Sequence, residues 1–261
     1  MRQRIISLVF LGLFCLCFPL ALQAADKQPA PVLEDDFSDE FAIPDNKAQV
    51  ADPLYYFNYG MYVFNDKTYH WILEPTARGY KAVMPQVARV GIKNFFHNLV
   101  FPVRFVNTLL QGKWESAVDE VGIFLVNTTA GGLGFYQFAQ NHLDVDTDDE
   151  DFGQTLGSWS LGEGCYLVLP FFGPTSLRDG VGSIGDIFLN PVTYVGEWEI
   201  KIGARALDSI NGLSFHLGDY EALTEASLDP YEAIKAAYIQ RRRSLVKDEI
   251  TTKKRGYIKR L

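Results

Sequence analysis

Apolar residues recur every three or four positions over most of the chain, the period of one helix face. Leu54, Phe57, Met61, Phe64, Thr68 and Trp71 mark such a stripe on a helix predicted from Pro53 to about Leu73. Asp52 and Pro53 supply its start signal, an N-cap acceptor and a proline in the first turn. Tyr55, Tyr56, Tyr59, Tyr62 and Tyr69 decorate the rest of it. A helix that is apolar or aromatic nearly all round is deeply buried or in lipid. Tyrosine favours the bilayer interface, where its ring is apolar and its hydroxyl wet.

The same reading predicts helices from Pro85 to about Leu99, from Pro102 to Leu110 and from Trp114 to Thr128. Pro174 to Asp179 reads as a helix beginning, and Val181 to Leu189 as another short helix. Glu197 to about Leu213 is helical, and Asp229-Pro230 opens the last long helix. Most of these helices start at proline and stop at glycine. Leu167, Val168 and Leu169 form the best strand candidate, with no second candidate to pair with it. The predicted fold class is all-α with little or no sheet, in one helical domain over 52–246 without internal repeats.

The ends differ in character. Arg2 and Arg4 precede an apolar run from Ile5 to Leu22, followed by Ala24 and Ala25. This is the n-region, h-region and small-residue order of a secretory signal, with cleavage expected after Ala24 or Ala25. A spanning anchor needs ~20 apolar residues, and Pro19 near the end of the run favours cleavage. Cys15 follows Phe14 and Cys17 follows Leu16, so neither makes a good lipidation site, and a non-lipidated mature chain is expected. Residues 26–51 are rich in Pro, Asp and Glu without periodicity and read as a disordered linker. Residues 247–261 read as a basic tail.

Charge and cysteine content narrow the partners. The formal charge is −8, and removing Arg2 and Arg4 with the signal takes it to −10. That argues against nucleic acid, whose phosphates demand a basic face. From Lys235 onward the balance reverses, with ten Lys and Arg against Asp248 and Glu249. This end reads as a solvated helix and tail or, more sharply, as a contact for anionic lipid or an acidic partner. Cys165 is the one cysteine left after the signal, in an apolar run, so a core role is expected and no internal disulfide can form.

Enzyme and metal signatures are weak. The sequence has no Gly-x-Ser-x-Gly elbow and no phosphate-binding Gly-Lys-Ser or Gly-Lys-Thr. His70 and His97 lie in aromatic helical contexts and are expected to be packed; with His142 and His216 they make no cluster of metal-ligand spacing. Asp144, Asp146 and Asp148 mimic the start of a calcium loop, but Asp149 and Thr155 stand where Gly and Glu are needed. The segment 144–151 is therefore expected to be a solvated acidic loop. No catalytic residue, metal or cofactor is expected.

Several stretches together resemble the MlaA (VacJ) family of outer-membrane phospholipid-transport proteins. They are Asp52-Pro53-Leu54, Phe57-Asn58, Met61-Tyr62-Val63-Phe64-Asn65 and Val83-Met84-Pro85-Gln86-Val87-Ala88-Arg89. Leu110-Gln111-Gly112, Phe152-Gly153-Gln154-Thr155-Leu156-Gly157, Leu169-Pro170-Phe171-Phe172-Gly173-Pro174, Leu177-Arg178-Asp179 and Asp229-Pro230-Tyr231 follow in order. The resemblance implies a flat, ring-like arrangement of short amphipathic helices lying in the plane of the outer membrane at its periplasmic face. A central amphipathic channel would let phospholipid pass from the outer leaflet to a periplasmic carrier, beside a trimeric porin.

The resemblance also makes Gly157, Gly162 and Gly164 the flexible part that opens the channel; simple turns are the alternative. Arg178 and Asp179 form a structural polar network or meet the headgroup. Asn58 and Asn65 lie seven apart on one helix face. Buried amides are costly unless paired or wet, so these line the channel or tie helices together. A soluble periplasmic lipid shuttle is the competing function, favoured by the missing lipidation site.

Overall fold

The computed structural model describes residues 50–143 and 145–248. The expected signal with Ala24 and Ala25, nearly all of the expected linker, Asp144 and most of the basic tail lie outside the described residues.

The first helix continues well past its predicted end. Helix α1 spans Tyr55–Thr68, a π-helical turn covers Tyr69–Leu73, and α2 runs Glu74–Val83. Proline at position 75 has no N–H to give to the preceding turn. The wider π turn accommodates that loss without ending the helix. Asp52 does not cap α1; its carboxylate instead accepts hydrogen bonds from Asn58 Nδ2 at 2.7 Å and Tyr231 Oη at 2.6 Å.

Helices α3 (Gln86–Leu99), α4 (Phe101–Leu110) and α5 (Trp114–Thr129) lie where the periodicity puts them. Three short helices lacked a sequence signal, α6 (Phe138–Leu143), α7 (Phe152–Ser158) and, later in the chain, Asp219–Glu225. The lone strand finds a partner: β1 (Tyr166–Leu169) pairs antiparallel with β2 (Gly173–Ser176), with Tyr166 opposite Ser176. Residues 174–176 thus belong to a strand and not to a helix. Helix α8 then runs unbroken as Leu177–Leu189, its N-cap Ser176 accepting from the Asp179 amide at 3.1 Å. A 3-10 turn at Pro191–Tyr194 leads to α9 (Trp198–Leu213), α10 (Asp219–Glu225) and α11 (Pro230–Val246). Asp229 caps α11 with Pro230 at its first position, as its sequence predicts.

The packed pairs close into a circuit. From α1 contact passes through the π turn to α2, then α9, α3, α4, α7 and α8, and returns through β2 and β1 to α1. Helix α11 braces α7, α10 and β2 from one side. The apolar core proper is small, gathering Val50, Tyr166, Val168, Tyr231 and Ile239 where α11 meets the hairpin.

Candidate functional site

Helix α8 is amphipathic in an inverted sense. Leu177, Val181, Ile184 and Phe188, at helical spacing, are all exposed. Arg178, Asp179 and Gly182 on the opposite face are buried. Helix α4 turns Arg104, Asn107 and Thr108 inward in the same way. Across the described residues, twenty polar or charged residues are buried against fifteen apolar ones, and the large apolar residues line the outside. Trp71, Trp114, Phe172, Trp198 and Tyr194 are all more than two-thirds exposed. A polar interior with so many large apolar residues exposed around it is the reverse of a soluble core and is unusual on a soluble surface. No helix among the described residues is long and apolar enough to cross a membrane, so an apolar rim of this kind suits an in-plane position.

The buried polar groups are assembled into knots. Arg242 of α11 donates to both oxygens of Asp151, at 2.6 and 2.9 Å, and to both oxygens of Asp179, at 2.9 and 3.1 Å. Tyr238 Oη adds a bond to Asp179 at 2.6 Å, and Arg178 pairs with Asp179 from its own helix. Burial pushes both carboxyls up, but the charge and hydrogen bonds of Arg242 outweigh it and hold them below the usual range.

A second knot lies between α4 and α5, where Arg104 Nε donates to Glu120 Oε2 at 3.1 Å. Burial dominates there, and the Glu120 carboxyl is pushed up to about 7. Asp186 of α8 accepts from the Phe152 amide and from Asn107, and burial raises it to about 6.

These knots absorb the acidic segment. Asp148 and Glu150 are buried, so the expectation of a solvated loop fails. Glu150 meets Lys113 Nζ and Gln111 Nε2, each at 2.7 Å. The basic end is likewise not simply solvated: Lys235 pairs with Asp52, and Arg243 with Glu163. Cys165 is a half-buried free thiol at the edge of β1.

Asn58 and Asn65 both grip the hairpin. Asn58 is fully buried; its Nδ2 donates to the Tyr166 carbonyl at 3.0 Å and its Oδ1 accepts the Val168 amide at 3.0 Å. Two helical turns on, Asn65 Nδ2 donates to the Leu169 carbonyl at 2.9 Å and its Oδ1 accepts the Phe171 amide at 2.7 Å. Each amide thus stands in for a missing strand neighbour, which one-face spacing alone did not reveal. The grip presents Phe171 and Phe172 at the exposed hairpin tip, with Phe171 edge-on to Phe64.

The three glycines divide. Gly157 is helical, and a Cβ there would meet Val246 at 2.8 and 2.9 Å, so close packing of α7 on α11 requires it. Gly164 has φ +72°, a left-handed backbone that suits glycine. Gly162 stands in open space between them.

Residues 50–245 match the family model described as MlaA lipoprotein. The chain belongs to the MlaA family. Among relatives, the intermembrane phospholipid transport system lipoprotein MlaA of Shigella flexneri is 37% identical over 73% of this chain and 76% of its own length. Its counterparts in Escherichia coli (strain K12), at 36% over the same shares, and Haemophilus influenzae, at 33% over 76% and 80%, carry the same name. A solved structure described as "Structural basis for maintenance of bacterial outer membrane lipid asymmetry" superposes with a TM-score of 0.67. It is 31% identical and covers 75% of this chain and 99% of that chain. The fold is helical, as expected, with a two-stranded hairpin among the described residues that the sequence did not announce. The word lipoprotein in the relatives' names is at odds with the expected non-lipidated chain; Cys15 and Cys17 lie outside the described residues.

The sequence also left groups unassigned. His70 is exposed, not packed, and stands between Asp66 and Glu74. Glu221 comes to the same place from α10, far away in the chain. No local spacing could have announced that group.

Proposed function

We propose that this chain is the outer-membrane component of an intermembrane phospholipid transport system. It lies in the plane of the membrane and provides a path by which misplaced phospholipid leaves the outer leaflet, maintaining lipid asymmetry. The single observation that carries this reading is the closed circuit of helices with polar groups turned inward and apolar stripes turned outward. A charged headgroup at bilayer depth costs at least roughly 2.5 kcal/mol on insertion scales. A polar interior lowers that cost for the headgroup, while the outer stripes keep contact with acyl chains. The relatives' names and the description of the superposed structure support the same cargo and the same membrane.

The finer assignments rest on this reading. Phospholipid is passed to a periplasmic carrier, and a trimeric porin is the neighbour within the membrane. The chain performs no catalysis; the gradient of lipid and the affinity of the carrier supply direction. Gly162 is the yielding point of the path, since it stands in open space, whereas Gly157 is packed against Val246 and Gly164, in a left-handed turn, lies against Leu177. Arg178 and Asp179 stabilise the ring from inside. Asn58 and Asn65 hold the hairpin that borders the path.

Deletion of the gene tests the proposal. Phospholipid in the outer leaflet should rise, read as lipid cleaved by phospholipase added to intact cells, and the plasmid-borne gene should restore the barrier. An unchanged outer leaflet in the deletion strain would sink the reading. Recovery of the whole protein in the soluble periplasmic fraction, carrying one bound lipid, would favour a shuttle instead.

A further inference from the structure

The π turn does more than carry the chain past Pro75. It places His70 beside Glu74, with His70 Nδ1 3.2 Å from Glu74 Oε2. Helix α10 brings Glu221 against the same spot, and one ligand atom from each of the three lies within 4.8 Å of the others. Glu221 Oε2 accepts a hydrogen bond from Tyr69 Oη at 3.3 Å, while its Oε1 is buried and has no hydrogen-bond partner. A buried carboxylate oxygen left unpaired is costly, and each such atom calls for an explanation. The carboxylate that carries this oxygen also stands against an imidazole and a second carboxylate.

We propose that His70, Glu74 and Glu221 form a binding site for a first-row divalent cation of the zinc class. One imidazole nitrogen with two carboxylate oxygens suits zinc and its neighbours, whereas calcium and magnesium prefer oxygen alone. Zinc holds nitrogen and oxygen at roughly 2.0–2.2 Å, which puts tetrahedral ligands about 3.3–3.6 Å from one another. Small side-chain rotations bring the three atoms from their present spacing to that distance. The surroundings have the form of an outer shell. Asp66 Oδ1 lies 3.5 Å from His70 Nε2, placed to accept that N–H and fix the ring while Nδ1 ligates. Arg78 pairs with Oε1 of Glu74 and leaves Oε2 toward the site. Such partners orient ligands and tune the metal. His70 is exposed enough to admit the ion and a water as the fourth ligand. The cation would tie α10 to the α1–α2 junction, two parts of the ring that the chain joins only through most of its length.

The test uses untagged full-length protein in detergent, stripped with chelator, equilibrated with zinc chloride, desalted and assayed for metal. Wild type should retain about one zinc per chain. His70→Gln and Glu221→Gln should each lower retention at least about tenfold, with helical circular dichroism unchanged. His142→Gln should retain the wild-type amount. Wild type that keeps no zinc after desalting overturns the site, and so does wild-type retention in both site variants. As a readout independent of variant folding, cobalt added to wild type should give the visible absorption of a four- or five-coordinate site. A six-coordinate spectrum of the solvated ion would overturn the site as well.

Discussion

Arg242 and Asp179, 63 residues apart, meet in a two-pronged ion pair inside the ring, and the same guanidinium also holds Asp151. Asp151 caps α7 and Asp179 lies in the first turn of α8, so one arginine of α11 fastens the starts of two helices. Removing it strips Asp151 of its ion-pair partner and leaves the buried Asp179 with Arg178 and Tyr238 only. Arg242→Ala should lower stability by about 3 kcal/mol, the low end of the range for breaking a buried pair from one side. Arg242→Lys keeps the charge but not the fork, and should recover only part of that loss. Thermal unfolding in detergent measures both.

Stability should fall as the pH rises through the neutral range. The Glu120 carboxyl sits at about 7 in the folded protein against 4.5 for an ordinary glutamate, so folding favours its protonated form. Its contribution is complete below about 4.5 and is lost as the pH climbs through about 7. Asp186, raised to about 6 from 3.8, acts in the same sense over a lower window. Glu120→Gln should flatten most of the decline between about pH 5 and 7.5; a variant with the wild-type slope would assign the decline elsewhere. Asp151 and Asp179 act oppositely. Their carboxyls are held low, so their contribution is present above 3.8 and is lost only as the pH falls through their lower folded values.

The two asparagines should separate by cost and by effect. Asn58→Ala strips partners from a buried amide and a buried carbonyl in β1, and from Asp52, and should cost about 2–4 kcal/mol, the penalty of leaving buried groups unpaired. Asn65→Ala frees the exposed tip and should cost about 1 kcal/mol. Hydrogen exchange at the Phe171 amide should speed up in Asn65→Ala while that at Val168 stays protected.

The glycines give a sharper contrast. Gly157→Ala forces a methyl into Val246 and should destabilise by about 1–3 kcal/mol, the usual range for overpacking. Gly162→Ala meets nothing within 4 Å, and should leave the melting temperature level or slightly raised. If the segment yields during transport, Gly162→Ala should still weaken restoration of the outer leaflet in the deletion strain.

The outward stripe of α8 should govern attachment. Ile184→Asp with Phe188→Asp adds two charges where an in-plane helix meets acyl chains, while the inward polar knots are untouched. Fractionation should move protein from the membrane pellet toward the soluble fraction; full retention would mean that the stripe does not carry attachment.

Much of the helical ring is written locally. Apolar period, proline starts and glycine stops mark α3, α4, α5, α9 and α11, because those signals act within one or two turns. The aromatic first helix announced burial or lipid without deciding between them, and the structure divides its tyrosines: Tyr69 is buried and Tyr55, Tyr59 and Tyr62 pack around Tyr231, while Tyr56 stays exposed. The sequence determined a helical protein, and an ordered set of short stretches pointed to its family. It did not determine which polar residues lie inside. Asn58 as a strand partner, Glu150 buried under Lys113, and Arg242 between two distant aspartates each depend on contacts across dozens of residues. The π turn at Tyr69–Leu73 and the meeting of His70 with Glu221 belong to the same kind. Local preference ended the first helix near Pro75, and tertiary packing carried it on. Those choices are made by the need to pair buried charges and amides, and most of the partners come from distant parts of the closed ring.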